Sequence, residues 1–141
     1  MKILQVNTYH HLRGGDSRVM FETSSRLRER GHEVRHFAME HPDNVEDPDA
    51  RFFAPHLDYP RMQAEGGLAN AWRVARSSIS NPDARRALAD MLDTWRPDVA
   101  HLHSVMHHLT ASVVLELRAR GIPMAWTLHD YKSVCPTTRL L

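Results

Sequence analysis

The sequence has a single cysteine, Cys135, only two lysines and almost no net charge. One cysteine cannot form an internal disulfide, which excludes a disulfide-stapled secreted domain and fits a reducing cytoplasm. A net charge of +1 gives no field that would favour nucleic acid. No apolar run reaches the length of a membrane span, and residues 1–4 lead into a strand rather than a signal peptide. We expect a cytoplasmic protein with no nucleic-acid partner, with peripheral contact at the inner membrane face left open.

What the chain does contain is a regular alternation of apolar strands and amphipathic helices. Its 141 residues, 42% of them hydrophobic, can bury one core. The predicted strands are residues 3–7, 33–39, 98–104 and 123–128, with a further strand around 51–53, and the predicted helices are residues 16–30, 64–78, 82–95 and 110–120. This alternation predicts an α/β fold, a Rossmann-like parallel sheet with helices on both faces.

Polar side chains follow several of these strands. The loop 8–16 contains Gly14-Gly15, residues 101–104 end one strand, and His129-Asp130 follows the last one. Parallel sheets bind ligands outside the carboxyl ends of their strands, so these segments should share one rim. Two glycines before a helix could hold an anion on backbone amides, and a simple turn without a ligand explains them equally well.

His101 and His103 form the main alternative site. Residues two apart on a strand share a face, so this pair could bind a metal, with His107, His108 or His129 adding a ligand. No cysteine or carboxylate stands at a characteristic spacing, which favours a hydrogen-bonded interior role for His101 and no metal. Two alternative functions stay open: a metal-dependent hydrolase using His101 and His103, and a non-catalytic module that binds a phosphorylated ligand.

Four short motifs occur in a distinctive order along the chain. They are residues 1–4 followed by Gly14-Gly15, residues 30–34, residues 96–104, and residues 127–136. The ordered set resembles the N-terminal, acceptor-side domain of retaining glycosyltransferases of family 4, which have the two-domain GT-B fold. The resemblance covers most of the chain apart from residues 41–80.

This resemblance implies a hexosyl-type transferase with no cofactor. A nucleotide-diphosphate sugar would be the co-substrate, and the acceptor a hydroxyl of a polysaccharide, a glycolipid or other lipid-linked acceptor, or a small glycoside, with anomeric configuration kept. The resemblance gives the catalytic role, contact with the donor sugar, to His129. We assign substrate binding to Gly14, Gly15, Asp16, His103, Ser104, Asp130 and Tyr131.

The same resemblance implies a second domain that holds most of the nucleotide. We therefore expect residues 1–141 to be an incomplete, truncated N-terminal domain that lacks its C-terminal nucleotide-sugar-binding partner and is inactive alone. Ending after the last predicted strand should also leave an apolar edge at residues 124–128, where chains could associate.

Overall fold

The computed structural model describes residues 1–56, 80–106 and 108–130. In chain order, its elements are β1 (Lys2–Val6), α1 (Gly15–Glu29), β2 (Glu33–Phe37), a short 3-10 helix (Ala50–Phe52), α2 (Pro82–Thr94), β3 (Val99–Leu102), α3 (Thr110–Ala119) and β4 (Met124–Trp126). The four strands form one parallel sheet in the order β2-β1-β3-β4. The predicted parallel α/β fold is confirmed.

The two faces of the sheet have different partners because side chains alternate along each strand. Leu4 and Val6 of β1 belong to the main apolar cluster, which also contains Leu88 of α2 and Val113 of α3. The other face carries Gln5, and there β2 contacts α1, with Ser24 Oγ 3.0 Å from His36 Nε2. Helices therefore cover both faces, as predicted.

Local signals set the ends of the helices. Asn81 caps α2, because its Oδ1 accepts from the Ala84 amide at 3.0 Å, and Pro82 follows at the first helical position. Gly31 and Gly121 end α1 and α3 with φ of 81° and 64°, a conformation that is costly for residues with a Cβ. These boundaries agree with the sequence-based prediction.

The predicted strand at residues 51–53 is wrong. Residues 50–52 form the 3-10 helix, and only an isolated bridge pairs Met39 with Ala54. The cause is local: Asp47 Oδ1 accepts from the Asp49 amide at 2.8 Å, and Asp49 then accepts from Phe52 through its carbonyl at 2.9 Å. Such turns compete with strand pairing. The predicted helix at 64–78 lies outside the described residues.

β4 lies at one end of the described sheet, and all three of its residues are exposed. The predicted association of chains through an apolar edge at residues 124–128 stays a prediction. Among the described residues, no helix is long and apolar enough to span a bilayer.

Candidate functional site

A cavity of about 650 Å³ opens at the carboxyl edge of the sheet. Its walls come from the loops after β1, β3 and β4 and from the N-terminal turn of α1. The lining residues are Thr8, Tyr9, Arg13, Gly14, Gly15, Asp16, Ser104, His108, His129 and Asp130. The structure thus brings the three predicted segments together around one hollow, which we call the cleft.

Hydrogen bonds fix the floor of the cleft. The Thr8 amide donates to the Ser104 carbonyl at 3.0 Å, and the Ser104 amide donates to Asn7 Oδ1 at 3.1 Å. Asn7 Nδ2 also donates to the Tyr9 carbonyl at 3.0 Å. The loops after β1 and β3 are therefore tied to each other directly beyond their strands, so the cleft is held in shape by the protein's own backbone.

Not every backbone amide near Gly14 and Gly15 is free to bind an anion. Ser17 Oγ accepts from the Arg13 and Gly14 amides at 3.1 and 3.2 Å, so these two N–H groups are already occupied. Gly15 and Asp16 stand at the first two positions of α1, where amides have no intrahelical acceptor. An anion in the cleft would therefore meet the Gly15 and Asp16 amides rather than the whole loop.

Gly15 itself is not required by the protein's packing. A Cβ built there meets no heavy atom within 4 Å, and its φ is outside the positive range that favours glycine. At Gly14 a Cβ would lie 3.1 Å from Asp16 Oδ1. The open space at Gly15 lies on the cleft wall, where a small residue lets a ligand approach the backbone closely.

A buried chain of hydrogen bonds positions His129. His103 Nε2 lies 2.8 Å from Gln5 Oε1, and His103 Nδ1 lies 3.0 Å from His129 Nε2. Because Gln5 Oε1 can only accept, His103 carries its proton on Nε2 and accepts from His129 through Nδ1. His129 Nδ1 is then left with a lone pair. His103 is not among the residues that line the cleft and lies behind His129, and its contact with substrate stays a prediction.

His103 is held neutral by its surroundings. Burial, reinforced by the neighbouring rings of His101 and His129, lowers the pKa of His103 to about 3. Its side chain is only 1% exposed. His103 is therefore neutral throughout the neutral pH range.

His101 forms an interior hydrogen bond, as predicted. Its Nε2 lies 2.8 Å from Thr127 Oγ1, and its ring centroid is 4.2 Å from that of His103. Within residues 1–56, 80–106 and 108–130, neither His101 nor His103 belongs to a group of three metal-ligating side chains. Both ring nitrogens of His103 are also engaged, so nothing in this geometry favours the hydrolase alternative.

Four further residues line the cleft: Thr8, Tyr9 and Arg13 lie in the loop 8–16 that the sequence predicted on the rim, and His108 was predicted only as a possible metal ligand. The Arg13 guanidinium lies 4.3 Å over the Tyr9 ring, and Tyr9 Oη lies 3.3 Å from His108 Nε2. The only available signal was the position of these residues on loops beyond β1 and β3. Asp130 does line the cleft, while Tyr131 lies outside the described residues.

Together, these features define a Rossmann-like domain with a polar cleft at the carboxyl edge of its sheet. Residues 14–140 match the family model of the glycosyl transferase 4-like domain. The chain therefore belongs to that family, which confirms the predicted glycosyltransferase resemblance. None of the curated proteins compared with the chain matches it.

A solved structure is similar in fold. It is SsfS6, a glycosyltransferase from Streptomyces sp. SF2575, with a TM-score of 0.54 and 19% sequence identity. The similarity covers 92% of this chain and 40% of SsfS6. At this identity the likeness shows the Rossmann-like fold alone, and this chain spans well under half of that protein.

Proposed function

We propose that this domain forms the acceptor-side half of a retaining glycosyltransferase. The enzyme would move a hexosyl group from a nucleotide-diphosphate sugar to a hydroxyl of a polysaccharide, a glycolipid or a small glycoside. A second α/β domain would hold most of the nucleotide, and residues 1–141 alone would be inactive. The chain matches 40% of the length of SsfS6, which supports the proposal that a second domain is needed.

The observation that carries the proposal is the cleft itself, in a chain of the glycosyl transferase 4-like family. The Gly14–Asp16 turn and His129 are more than a hundred residues apart in the sequence, yet both line one cavity of about 650 Å³. A cavity of this size matches the sites that proteins use for small molecules. The lining offers donors and acceptors at several points, as recognition of a sugar requires.

His129 is the residue we assign to the donor sugar. The chain through His103 fixes its ring and leaves the Nδ1 lone pair as an acceptor for a sugar hydroxyl. In the transition state of glycosyl transfer, positive charge develops at the sugar ring, and a fixed hydrogen-bond partner on that sugar holds it in place without reorganisation. His103 is therefore a positioning residue, acting through His129.

The cleft wall formed by Arg13, Gly15 and Asp16 would face the diphosphate and the acceptor. Arg13, held over Tyr9, is a cation on the cleft wall, and the Gly15 and Asp16 amides lie at the N-terminus of α1, where the helix dipole favours anions. The Asp16 carboxylate lines the same wall and can accept from an acceptor hydroxyl. Phosphate binding and hydroxyl binding would thus lie side by side.

The proposal is tested with the longest natural protein that contains this domain. Incubated with nucleotide sugars and candidate acceptors, it should give a glycoside whose anomeric configuration, measured by proton NMR, matches that of the donor. An inverted product would overturn the retaining mechanism. Saturable binding of nucleotide sugar with neither transfer nor hydrolysis would instead identify the non-catalytic binding module.

Two glycine substitutions separate a ligand role from a folding role. Gly15→Ala should leave the free energy of unfolding within about 0.5 kcal/mol of wild type, because its Cβ meets no atom of the protein, yet raise KM for the donor about tenfold. Gly31→Ala is the matched control: its φ of 81° should cost about 1 kcal/mol of stability and leave KM unchanged. Equal KM values for Gly15→Ala and wild type would exclude close approach at that wall.

A further inference from the structure

Two histidines and an aspartate meet in the interior on the α1 face of the sheet, away from the cleft lining. His10 lies on the loop between β1 and α1, His36 lies in β2, and Asp47 lies on the loop after β2. His10 and His36 are 2% and 3% exposed, and the Asp47 side chain is 8% exposed. One potential ligand atom of each lies within 4.8 Å of the other two. We call these three residues the HHD cluster.

His10 presents an unpaired nitrogen to this cluster. Its Nδ1 donates to the Val45 carbonyl at 3.1 Å, which leaves the lone pair on Nε2. In the described part of the chain, that Nε2 has no hydrogen-bond partner, and it lies 3.4 Å from Asp47 Oδ2. A ring whose Nδ1–H is fixed by a backbone carbonyl while Nε2 is free is the arrangement usual for metal-binding histidines.

His36 and Asp47 are oriented toward the same point. Ser24 Oγ donates to the Met20 carbonyl at 2.8 Å, so it accepts from His36 Nε2 at 3.0 Å, and His36 Nδ1 faces Asp47 Oδ2 at 2.8 Å. Asp47 Oδ1 is used by the Asp49 amide at 2.8 Å, which leaves Oδ2 for the cluster. Three electron pairs therefore converge in a buried space.

A single proton does not satisfy this arrangement. Placed between His36 Nδ1 and Asp47 Oδ2, it forms one ion pair and leaves His10 Nε2 buried without a partner, which is costly. A divalent cation would satisfy all three atoms at once. We propose that the HHD cluster is a structural site for a divalent transition-metal ion, with zinc the expected occupant.

Distances and donor chemistry agree with zinc. Ligands 2.0–2.1 Å from a tetrahedral ion are about 3.3 Å apart, close to the 3.4 Å between His10 Nε2 and Asp47 Oδ2. His36 Nδ1 lies 2.8 Å from Asp47 Oδ2, so these two atoms would separate by about 0.5 Å to hold the ion. Two imidazoles and one carboxylate suit zinc better than calcium or magnesium, with water as the fourth ligand. The rings of Phe21 and Phe53 lie 5.0 and 5.4 Å from that of His10, so the surroundings are apolar.

The ion would join the loop that carries Thr8, Tyr9 and Arg13 to the loop after β2. It would therefore stabilise one wall of the cleft without contacting substrate. This inference is independent of the proposed glycosyl transfer, because it depends only on the HHD cluster and its hydrogen bonds.

The test uses the 141-residue chain stripped of metal and titrated with Co²⁺, a spectroscopic substitute for zinc. We expect one equivalent to bind with the intense visible bands of tetrahedral cobalt, to be displaced by Zn²⁺, and to raise the unfolding temperature. Asp47→Asn should weaken binding about 100-fold or more, since it removes the anionic ligand.

The matched control is Asp43→Asn in a second His-His-Asp group, His11, His41 and Asp43, which lies nearer the surface. That variant should bind cobalt within about threefold of wild type. If it abolishes binding while Asp47→Asn does not, or if a thiolate charge-transfer band implicates Cys135, the proposal is wrong. Absence of saturable binding by wild type also contradicts it.

Nitrogen NMR of the wild-type protein tests metal binding by the HHD cluster even if Asp47→Asn fails to fold. In wild type, Zn²⁺ should shift His10 Nε2 and His36 Nδ1 strongly, while His10 Nδ1 and His36 Nε2 keep their protons and move little. Unchanged ring nitrogens in zinc-saturated protein would overturn the proposal.

Discussion

Acidification should destabilise this protein through His103, and the size of the effect follows from its pKa. In the folded chain, burial lowers that pKa from 6.5 to about 3. Below pH 6.5, His103 binds a proton in the unfolded chain but not in the folded chain. The contribution of neutral His103 to the free energy of unfolding is therefore complete above pH 6.5 and is lost as the pH falls toward 3. Between about pH 7.5 and pH 5, the free energy of unfolding should fall by about 2 kcal/mol from this residue alone.

His103→Gln isolates the effect. The amide is of similar length and can still bond to Gln5 and His129, but it does not titrate. Urea unfolding of wild type and variant at the two pH values should show that wild type loses about 2 kcal/mol more than the variant. Burial also lowers the pKa of His10, but that contribution is present in both proteins and cancels in the difference.

The result that would refute this reasoning is a parallel loss, within about 0.5 kcal/mol, in the two proteins. It would mean that His103 takes up a proton in the folded state as easily as in the unfolded chain. That result would contradict the claim that neutral His103 orients His129.

Three further predictions concern packing, capping and the sheet edge. Leu88→Ala should lose about 2–5 kcal/mol in urea unfolding because the side chain is fully buried, whereas Leu115→Ala, 53% exposed, should stay within about 0.5 kcal/mol. Asn81→Ala should lose about 1–3 kcal/mol, since it removes the cap of α2 and the hydrogen bond that Asn81 Nδ2 donates to the partly buried His108 carbonyl; a loss no larger than that of exposed Ser25→Ala would contradict this. Met124→Lys should reduce concentration-dependent association in analytical ultracentrifugation, and unchanged association would show that chains do not pair through β4.

The order of elements could be predicted from the sequence because its signals are local. Gly31 ends one helix through its positive φ, and Asn81 followed by Pro82 begins another, each within a few residues of the boundary it sets. The rim of the sheet could be predicted as well, since parallel strands bring their carboxyl ends together. That reasoning predicts Gly15 and His129 on one rim, and both residues line the cleft.

Other features depend on tertiary register and left no local signal. His103 meets Gln5 only because β1 and β3 pair with Gln5 opposite His101. The capture of the Gly14 amide by Ser17 depends on the exact course of the loop. The HHD cluster joins two loops and a strand, so spacing along the chain could not reveal it.

Whether the cleft transfers a sugar is tested most directly by the turnover of His129→Ala in the longest natural protein that carries this domain. We predict at least a tenfold loss of kcat, about 1.4 kcal/mol of barrier, with the unfolding midpoint unchanged. His32→Ala, at the opposite edge of the sheet, should retain full turnover. Wild-type kcat in a folded His129→Ala enzyme would contradict the claim that the cleft is where the sugar is transferred.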